Sequence, residues 1–412
     1  MCWNYVFCGP RCLCGPLGMA IYLDNQATTR VDPAVIAAMI PMMDLYYANP
    51  GSTTHEAGRL VGELVNDAIQ RIANHFNAGS DEIIVTSGAT ESNNLALQGV
   101  AMHPKQKRRS IVSLVTEHRA VLDPLAKLER LGFEVIRLPV LRNGHPEAGT
   151  VELDRLANAI SDNTALVSIM LANNEIGTLQ PIADIAKLCR RYCIPLHTDA
   201  SQAVGRMPID VQSLGVDLLS FSAHKFYGPK GIGGLYVRQS PTPVMLQGQI
   251  FGGGQQLNLR SGTLNSVGII GMAKALDISH QCFNSEIAIQ EHLRDLLWAL
   301  LNKRIDGLKL NGPHLDVENR STRLVNNLNV CFPKVEGQSL MMELPELAVS
   351  SGSACTSAEP HPSHVLLGIG LSLDQARSSL RFGIGRFNTE AEIQQSAEWL
   401  GEAYAKLAHF AA

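Results

Sequence analysis

Lys225 lies at the point where a buried strand is predicted to end. The largely apolar run 216–221 leads into Ser222, His224 and Lys225, and a glycine-rich stretch follows. Desolvation disfavours the charged form of an amine, so a lysine in this position has a lowered pKa and can attack an aldehyde. The adjacent serine and histidine, with backbone amides, suit a phosphate. A surface lysine in a turn is the alternative, and this segment alone does not exclude it.

A carboxylate ends a second predicted strand upstream of Lys225. Asp199 closes the run 194–199, and Gln202 follows shortly after it. A carboxylate can pair with a protonated pyridine nitrogen and keep the ring an electron sink, and an amide can reach the ring's phenolic oxygen. A helix N-cap is the alternative role for Asp199. Because ligands gather at strand ends in open α/β sheets, the two strand ends together predict pyridoxal phosphate (PLP), which combines an aldehyde, a phosphate and a pyridine ring.

Polar residues also follow three other predicted strands. Gly88 allows close approach of the backbone to a ligand, and Thr90 begins a helical pattern whose amides and dipole favour an anion. His118 could present a flat ring to a planar cofactor and move a proton. Asn174 ends the strand that begins near residue 166. A capped helix and a structural histidine explain these residues equally well when each is taken alone.

A single cysteine stands in a segment of small residues. Residues 347–358 are rich in Ser, Gly, Ala and Thr around Cys355. Small side chains bury little surface, so this segment is predicted to be a mobile loop. An exposed thiol on such a loop is typical of a reactive cysteine, whereas an incidental free thiol is the alternative.

Taken together, the motifs resemble the cysteine desulfurases, which are PLP enzymes of the class V aminotransferase type. The resemblance extends from about residue 21 to residue 401. The segment around Cys355 is similar to the branch with the iron–sulfur cluster and nitrogen-fixation desulfurases. The matching segments, in chain order, are 22–29, 49–52, 86–92, 116–118, 173–177, 197–202, 222–225, 260–263, 350–355 and 381–386.

The resemblance implies a role for each matching position around the cofactor ring. Lys225 would carry PLP as a Schiff base and later move protons. Asp199 would pair with the pyridine nitrogen, Gln202 would meet the ring oxygen, and His118 would stack on the ring. Cys355 would attack the substrate sulfur. The implied catalytic residues are therefore Cys355, Lys225 and His118.

The resemblance also implies how phosphate and substrate are held. Asn174 and Arg381 would bind the substrate carboxylate, and the planar fork of arginine matches its two oxygens. Thr263 would reach the phosphate bound to the partner subunit of a homodimer. The remaining phosphate contacts would come from the backbone of Ala89 and from Thr90, Ser222 and His224.

The implied reaction converts L-cysteine to L-alanine and leaves the sulfur as a persulfide on Cys355. A sulfur-acceptor protein, either a scaffold or a sulfurtransferase, would then receive it for iron–sulfur cluster assembly or for thio-modification of nucleic acid. Two other interpretations stay open. A selenocysteine lyase or another PLP-dependent lyase or aminotransferase would not need the thiol. A non-catalytic assembly subunit would not need Lys225, Asp199 and His118.

One position departs from the family pattern. The family has an acidic residue after Gly-Gly-Gly-Gln, and this chain has Gln256 there. The departure removes no implied catalytic residue, but it leaves the positioning of this loop open.

Length, charge and composition limit the classes of protein to which the chain can belong. The chain has 412 residues, enough for two domains, and a formal net charge of −4 without a basic block, so direct nucleic-acid binding is not expected. No apolar run reaches the ~18 residues needed to span a membrane. No His/Cys spacing completes a metal site. A reactive cysteine implies a reducing compartment, and we expect the cytoplasm.

The candidate residues require a sheet whose strands end at one edge. Strands and helices alternate over about 83–237, which predicts an α/β fold with a mostly parallel sheet and helices on both faces. The resemblance implies the PLP-dependent transferase fold type I, with seven strands, plus a smaller α+β domain. We expect residues 35–280 to form the large domain, and residues 19–34 with 281–412 to form the small domain that carries the cysteine loop. Residues 264–301 are predicted to be one long helix.

Residues 1–18 do not fit this scheme. They hold four of the nine cysteines, match none of the motifs and lack the charge pattern of a signal peptide. We expect a disordered tail or a mis-assigned start, with the family-like part beginning at Met19.

Overall fold

The computed structural model describes residues 20–315, 322–351 and 362–410. The strands are β1 (Ile21–Tyr22), β2 (Ile83–Thr86), β3 (Ser110–Leu114), β4 (Glu134–Leu138), β5 (Thr164–Ser168), β6 (Leu196–Asp199), β7 (Leu218–Ser222), β8 (Gly233–Val237), β9 (Lys309–Leu310), β10 (Asn327–Cys331), β11 (Leu347–Ala348) and β12 (Ser379–Gly383). The helices are α1 (Pro33–Asp44), α2 (Glu56–His75), α3 (Ala89–Ala101), α4 (Arg119–Arg130), α5 (Leu153–Ala159), α6 (Ile182–Arg191), α7 (Val211–Leu214), α8 (Ser266–Gln281), α9 (Phe283–Arg304), α10 (Gly337–Glu343), α11 (His364–Gly368), α12 (Leu373–Arg377) and α13 (Glu390–Phe410). In these described ranges, no helix is both long and apolar enough to cross a membrane.

A seven-stranded sheet organises the larger part of the chain. Its strand order is β2-β8-β7-β6-β5-β3-β4. Strands β3 to β7 run parallel, while β8 is antiparallel to both β7 and β2. The polar residues that follow the parallel strands therefore meet at one edge of the sheet. The predicted α/β fold with a mostly parallel seven-stranded sheet is confirmed.

Alternating side chains of these strands pack into two separate apolar clusters. Val112 and Leu219 belong to one cluster, whereas the residues directly before them, Ile111 and Leu218, belong to the other. Successive side chains of a strand point to opposite faces, so each cluster marks one face of the sheet. Helices α3 and α4 cover one face, and α2, α6 and α8 cover the other. The continuous burial of β3, β5 and β7 follows from this double cover.

A third apolar cluster lies outside this sheet. It joins a three-stranded antiparallel sheet, in the order β12-β10-β9, to helices α9 and α13. Strand β1 pairs in parallel with β11, which brings the N-terminal strip to the same cluster. The domain limits expected from the sequence stay a prediction, and residues 1–18 lie outside the described residues.

The prediction of one long helix over 264–301 is wrong. Helices α8 and α9 follow one another and are separated at Cys282, whose backbone (φ −93°, ψ 1°) leaves the helical region. Ile269 and Met272 of α8 pack against the large sheet, whereas Leu293 of α9 packs in the third cluster. The helix is interrupted at Cys282 because α8 packs in one apolar cluster and α9 packs in another. The apolar pattern of the sequence does not show to which cluster each residue belongs.

Candidate active site

A cavity of about 380 Å³ opens at the carboxyl edge of the large sheet. It is lined by the turns that follow β2, β3, β5, β6 and β7, by residues 26–28 and by part of β12. Parallel strands place their carboxyl ends at one edge, so side chains far apart in sequence meet there. The sequence-predicted residues that line the cavity are Ala89, Thr90, His118, Asn174, Asp199, Gln202, Ser222, His224, Lys225 and Arg381.

Lys225 ends the 3₁₀ turn Ala223–Lys225 that follows β7. Its Nζ donates hydrogen bonds to the carbonyl oxygens of Gln26 and Ala27, the latter at 3.0 Å. These carbonyls belong to the motif 22–29, which crosses from the third apolar cluster to the cavity. They fix the amine at the wall of the cavity.

The Asp199 carboxylate is held by three hydrogen bonds. Asn93 Nδ2 donates to Oδ2 at 2.7 Å, and the backbone N–H and hydroxyl of Ser201 donate to Oδ1 at 2.9 Å and 2.5 Å. Asp199 and Asn93 are both buried. Sequence reasoning missed Asn93 and Ser201, although both fall in or beside the motifs. The carboxylate is therefore fixed in place rather than acting as a helix cap.

His197 ties together the strands that lead to the cavity. Its two ring nitrogens lie 2.8 Å from Ser168 Oγ on β5 and 2.9 Å from Ser220 Oγ on β7. Burial lowers the pKa of His197 to about 4, so the ring is neutral at physiological pH. The neutral ring of His197 therefore links β5 and β7 to β6, the strand that ends at Asp199.

His118 lies at the first turn of α4, beside the cavity. Its Nδ1 accepts a hydrogen bond from the backbone N–H of Ala120 at 3.0 Å, so the proton of the neutral ring is on Nε2. Burial lowers the pKa of His118, although the Asp199 carboxylate opposes this shift. The side chain thus caps α4 and also presents a neutral ring to the cavity.

Three acceptor atoms of residues that line the cavity have no hydrogen-bond partner among the described residues. They are Gln26 Oε1, Asn174 Oδ1 and Gln202 Oε1, and all three are buried. The Gln202 amide is fixed from its other end, because Nε2 donates to the Gln26 carbonyl at 2.9 Å. A buried acceptor without a donor costs stability unless a ligand or water satisfies it, so these atoms favour a polar ligand in the cavity.

The turn between β2 and α3 has the features of an anion site. Gly88 has φ 148°, which strongly favours glycine, and a Cβ there would lie only 3.3 Å from Ser222 Oγ. Helix α3 begins at Ala89, so its first amide groups and its dipole face the cavity end. His224 lines the same cavity. Burial, together with the positive charges of Lys225 and Lys230, lowers the pKa of His224 to about 4.

Arg381 lies in the middle of β12 and is almost completely buried. Its Nη2 pairs with Asp24 Oδ1 at 2.7 Å, and Nη1 donates to the Asn174 carbonyl at 3.1 Å. Its Nε has no partner within the described part of the chain. The guanidinium is thus held in a fixed orientation, with Nε–H as its unsatisfied donor. Sequence reasoning missed Asp24, which precedes Arg381 by more than 350 residues.

Two predicted residues are not in this cavity. Thr263 is exposed and lines a separate shallow hollow with Asn49 and Gln255. Cys355 lies outside the described residues, so its predicted mobile loop and its position are not tested. The described residues on either side of its segment are Ser351 and Pro362.

Known proteins with similar sequences or structures identify the family. The Aminotransferase class-V family matches residues 21–395. The cysteine desulfurase IscS of Neisseria meningitidis is 47% identical over 390 residues, 94% of this chain and 93% of the relative. Among solved structures, a NifS-like protein has a TM-score of 0.84 at 34% identity and covers 95% of this chain and 100% of its own. A structure titled SspA in complex with cysteine has a TM-score of 0.76 at 34% identity and covers 89% of this chain and 99% of its own. The chain therefore belongs to the class-V aminotransferase family and, within it, to the cysteine desulfurases, which are PLP-dependent enzymes.

The cavity fits PLP on its own geometry. The glycine turn and the start of α3 offer amides for a phosphate, and Lys225 offers an amine for an aldehyde. The fixed Asp199 carboxylate suits a pyridinium, and the unpaired acceptor of Gln202 suits a protonated ring oxygen.

Proposed function

We propose that this protein converts L-cysteine to L-alanine and transfers the sulfur to Cys355. The meeting of Lys225, Asp199 and Arg381 around one cavity carries this proposal. These residues supply an amine for an aldehyde, a carboxylate for a ring nitrogen and a guanidinium for the carboxylate of an amino acid.

Three residues of the chain act on the cofactor ring and on the substrate. PLP, when bound, supplies an aldehyde for the substrate's amino group and a ring that withdraws electrons from its Cα. Lys225 Nζ binds that aldehyde in the resting enzyme and then moves a proton at the substrate's Cα. Asp199 keeps the proton on the ring nitrogen, because its hydrogen bonds hold the carboxylate in one position. His118 packs its neutral ring against the cofactor.

The phosphate site combines backbone amides, a hydroxyl and a histidine. Ala89 and Thr90 contribute backbone amides at the start of α3, and Ser222 contributes its hydroxyl. Without a ligand, burial and the nearby lysines lower the pKa of His224 to about 4, and a bound dianion opposes that shift. The positive end of the α3 dipole and Lys225 supply the attraction for the dianion.

Arg381 and Asn174 hold the substrate's carboxylate. The Asp24 and Asn174 contacts fix the guanidinium, and its buried Nε–H is a donor that lacks a partner within the described residues. The bond to a carboxylate also satisfies this buried donor, which strengthens the site.

Sulfur transfer needs the Cys355 thiolate as nucleophile. The thiolate attacks the sulfur of L-cysteine, an S–S bond forms, and the Cβ–S bond breaks. The electron pair of the broken bond returns to Cβ, which takes a proton and leaves as part of L-alanine. The enzyme retains one sulfur as the Cys355 persulfide, so no external oxidant or reductant is required.

We further propose that the protein is a homodimer. Thr263 is exposed and does not line the cavity of its own subunit, which suits a contact with the partner's phosphate. Helix α1 and the turn after it expose an apolar surface that one subunit leaves uncovered. Its exposed residues are Ile36, Ile40, Met43, Leu45 and Tyr47. A second copy of the chain is the partner that both observations suit.

The persulfide passes to a sulfur-acceptor protein, a scaffold or a sulfurtransferase, for iron–sulfur cluster assembly or nucleic-acid thio-modification. We place the enzyme in a reducing compartment, the cytoplasm, because its reactive thiol is kept reduced there.

Mass spectrometry after brief exposure to L-cysteine tests the proposed reaction. We expect one added sulfur on the peptide that contains Cys355, together with one L-alanine for each sulfur transferred. Alanine formation with an unmodified Cys355 would favour a lyase that does not use the thiol.

A further inference from the structure

Residues 256–258 form an unusual turn beside the phosphate site. Gln256, Leu257 and Asn258 have φ values of 50°, 59° and 61°. Three consecutive residues with side chains in the left-handed region are unfavourable, so tertiary contacts must hold them. Leu257 and Asn258 are both exposed, which leaves Gln256 as the candidate for that contact.

The side-chain amide of Gln256 pairs with the backbone of Val85. Its Oε1 accepts from the Val85 N–H at 2.6 Å, and its Nε2 donates to the Val85 carbonyl at 2.9 Å. Strand β2 lies at the edge of the large sheet, so this backbone edge faces no other strand. The amide therefore pairs with β2 as the peptide group of a neighbouring strand would.

A second contact joins the same loop to α3. Arg260 Nε pairs with Glu91 Oε1 at 2.9 Å, and Glu91 Oε2 accepts from the Ser87 backbone N–H at 2.8 Å. Gln256 contacts Val85 just before the turn 86–90, and Arg260 contacts Glu91 just after it. This turn carries the proposed phosphate contacts. The loop that holds Gln256 and Arg260 leads directly to Thr263.

We propose that Gln256 is a positioning residue for the cofactor's phosphate, acting through the turn between β2 and α3. This inference rests on the phosphate site assigned under the proposed function. Only a side chain with a donor and an acceptor in one plane can satisfy both groups of Val85. A carboxylate would accept from the N–H but would repel the carbonyl. The acidic residue of the family pattern therefore could not make this pair while ionised.

Titration of the apoenzyme with PLP, followed by absorbance, tests the role of Gln256 without relying on activity. At pH 8 we expect Gln256→Glu to bind PLP about tenfold more weakly than the wild type, because the carboxylate faces the Val85 carbonyl. As the pH falls toward about 4.3, the ordinary pKa of a glutamate, the carboxyl gains a proton and can donate again, so the ratio to the wild type should move toward one. Gln256→Met keeps the length but has no donor, so its loss should not vary with pH relative to the wild type.

Gln394 provides the matched control, because it is an exposed glutamine on α13. Gln394→Glu and Gln394→Met should bind PLP as the wild type does at every pH. Wild-type affinity of Gln256→Glu at pH 8, or a loss that does not change with pH, would overturn the proposal. If Gln256→Glu does not fold, Gln256→Met decides, and its unchanged affinity overturns the proposal. Failure of the wild type itself to bind PLP would instead refute the proposed phosphate site.

Discussion

Ser350 and Arg381 exchange two backbone hydrogen bonds. The Arg381 N–H donates to the Ser350 carbonyl at 2.7 Å, and the Ser350 N–H donates to the Arg381 carbonyl at 3.3 Å. On the other side of the Cys355 segment, the Ser363 hydroxyl donates to Glu175, the residue next to Asn174. Both flanks of the cysteine segment are therefore attached beside the proposed carboxylate site. This arrangement ties the start of the segment to Arg381 and its end to the neighbour of Asn174, the two residues proposed to bind the substrate carboxylate.

Ser363→Ala should slow alanine formation several-fold while PLP binding stays unchanged. The hydroxyl holds the end of the cysteine segment against Glu175, and without it that buried carboxylate loses a donor. Ser372→Ala is the matched control, because Ser372 also caps a short helix but lies away from the cavity. Steady-state alanine assays compare the two variants. Equal activity in both would show that Ser363 acts only as a helix cap.

Lys225→Ala should abolish the covalent link to PLP. Borohydride reduction fixes such a link, and intact-protein mass spectrometry then detects the added mass. Lys230→Ala is the control, because Lys230 also lines the cavity and this variant should retain the reducible link. A reduced adduct in Lys225→Ala would show that another amine carries the cofactor.

Ile40→Asp should weaken self-association by at least about tenfold. Ile40 is 56% exposed on α1, and a carboxylate there would be buried without a partner in the proposed dimer. PLP affinity should fall in parallel, because Thr263 would no longer reach the partner's phosphate. Sedimentation velocity at micromolar concentration measures the association. Met342 is 78% exposed outside the α1 surface, so a dimer lost equally in Met342→Asp would argue against α1 as the interface.

The predicted residues that line the cavity, with the exception of Arg381 in β12, share one property: each ends or follows a strand of the seven-stranded sheet. Lys225 and Asp199 reach one cavity because parallel strands end at one edge, and alternation of strands and helices is visible in the sequence. The pairs Asp24–Arg381 and Gln256–Val85 could not be predicted in this way. Each pair joins two segments that are far apart in sequence and that tertiary packing brings into contact. No local sequence pattern indicates such a contact.

The stability of the apoenzyme should fall as the pH decreases from about 6.5 to 4. Burial lowers the pKa of His197 from 6.5 to about 4. Below pH 6.5 the unfolded chain binds a proton at His197, whereas the folded protein binds it only near pH 4. The contribution of the neutral ring to the free energy of unfolding is therefore complete above pH 6.5 and is lost as the pH falls toward 4. His197→Gln should reduce the slope of unfolding free energy against pH by up to about 1.4 kcal/mol per pH unit.

Urea unfolding between pH 4.5 and 7 measures that slope. His292→Gln, at an exposed position of α9, controls for the loss of a histidine as such. The same change of slope in both variants would contradict a specific effect of the buried ring.

Cys355→Ser should separate cofactor binding from sulfur transfer. Serine has nearly the size of cysteine, but its hydroxyl is barely ionised at neutral pH and is a poor nucleophile toward sulfur. Lys225, Asp199 and Arg381 are unchanged, so PLP and L-cysteine should bind with wild-type spectral changes. Alanine formation should fall by at least about 100-fold, since in the proposed reaction this thiolate takes the sulfur as the Cβ–S bond breaks. Cys193→Ser removes an exposed thiol away from the cavity and should keep full activity. Release of sulfide and alanine at the wild-type rate by Cys355→Ser would exclude Cys355 as the sulfur acceptor and would favour a lyase that acts without a thiol.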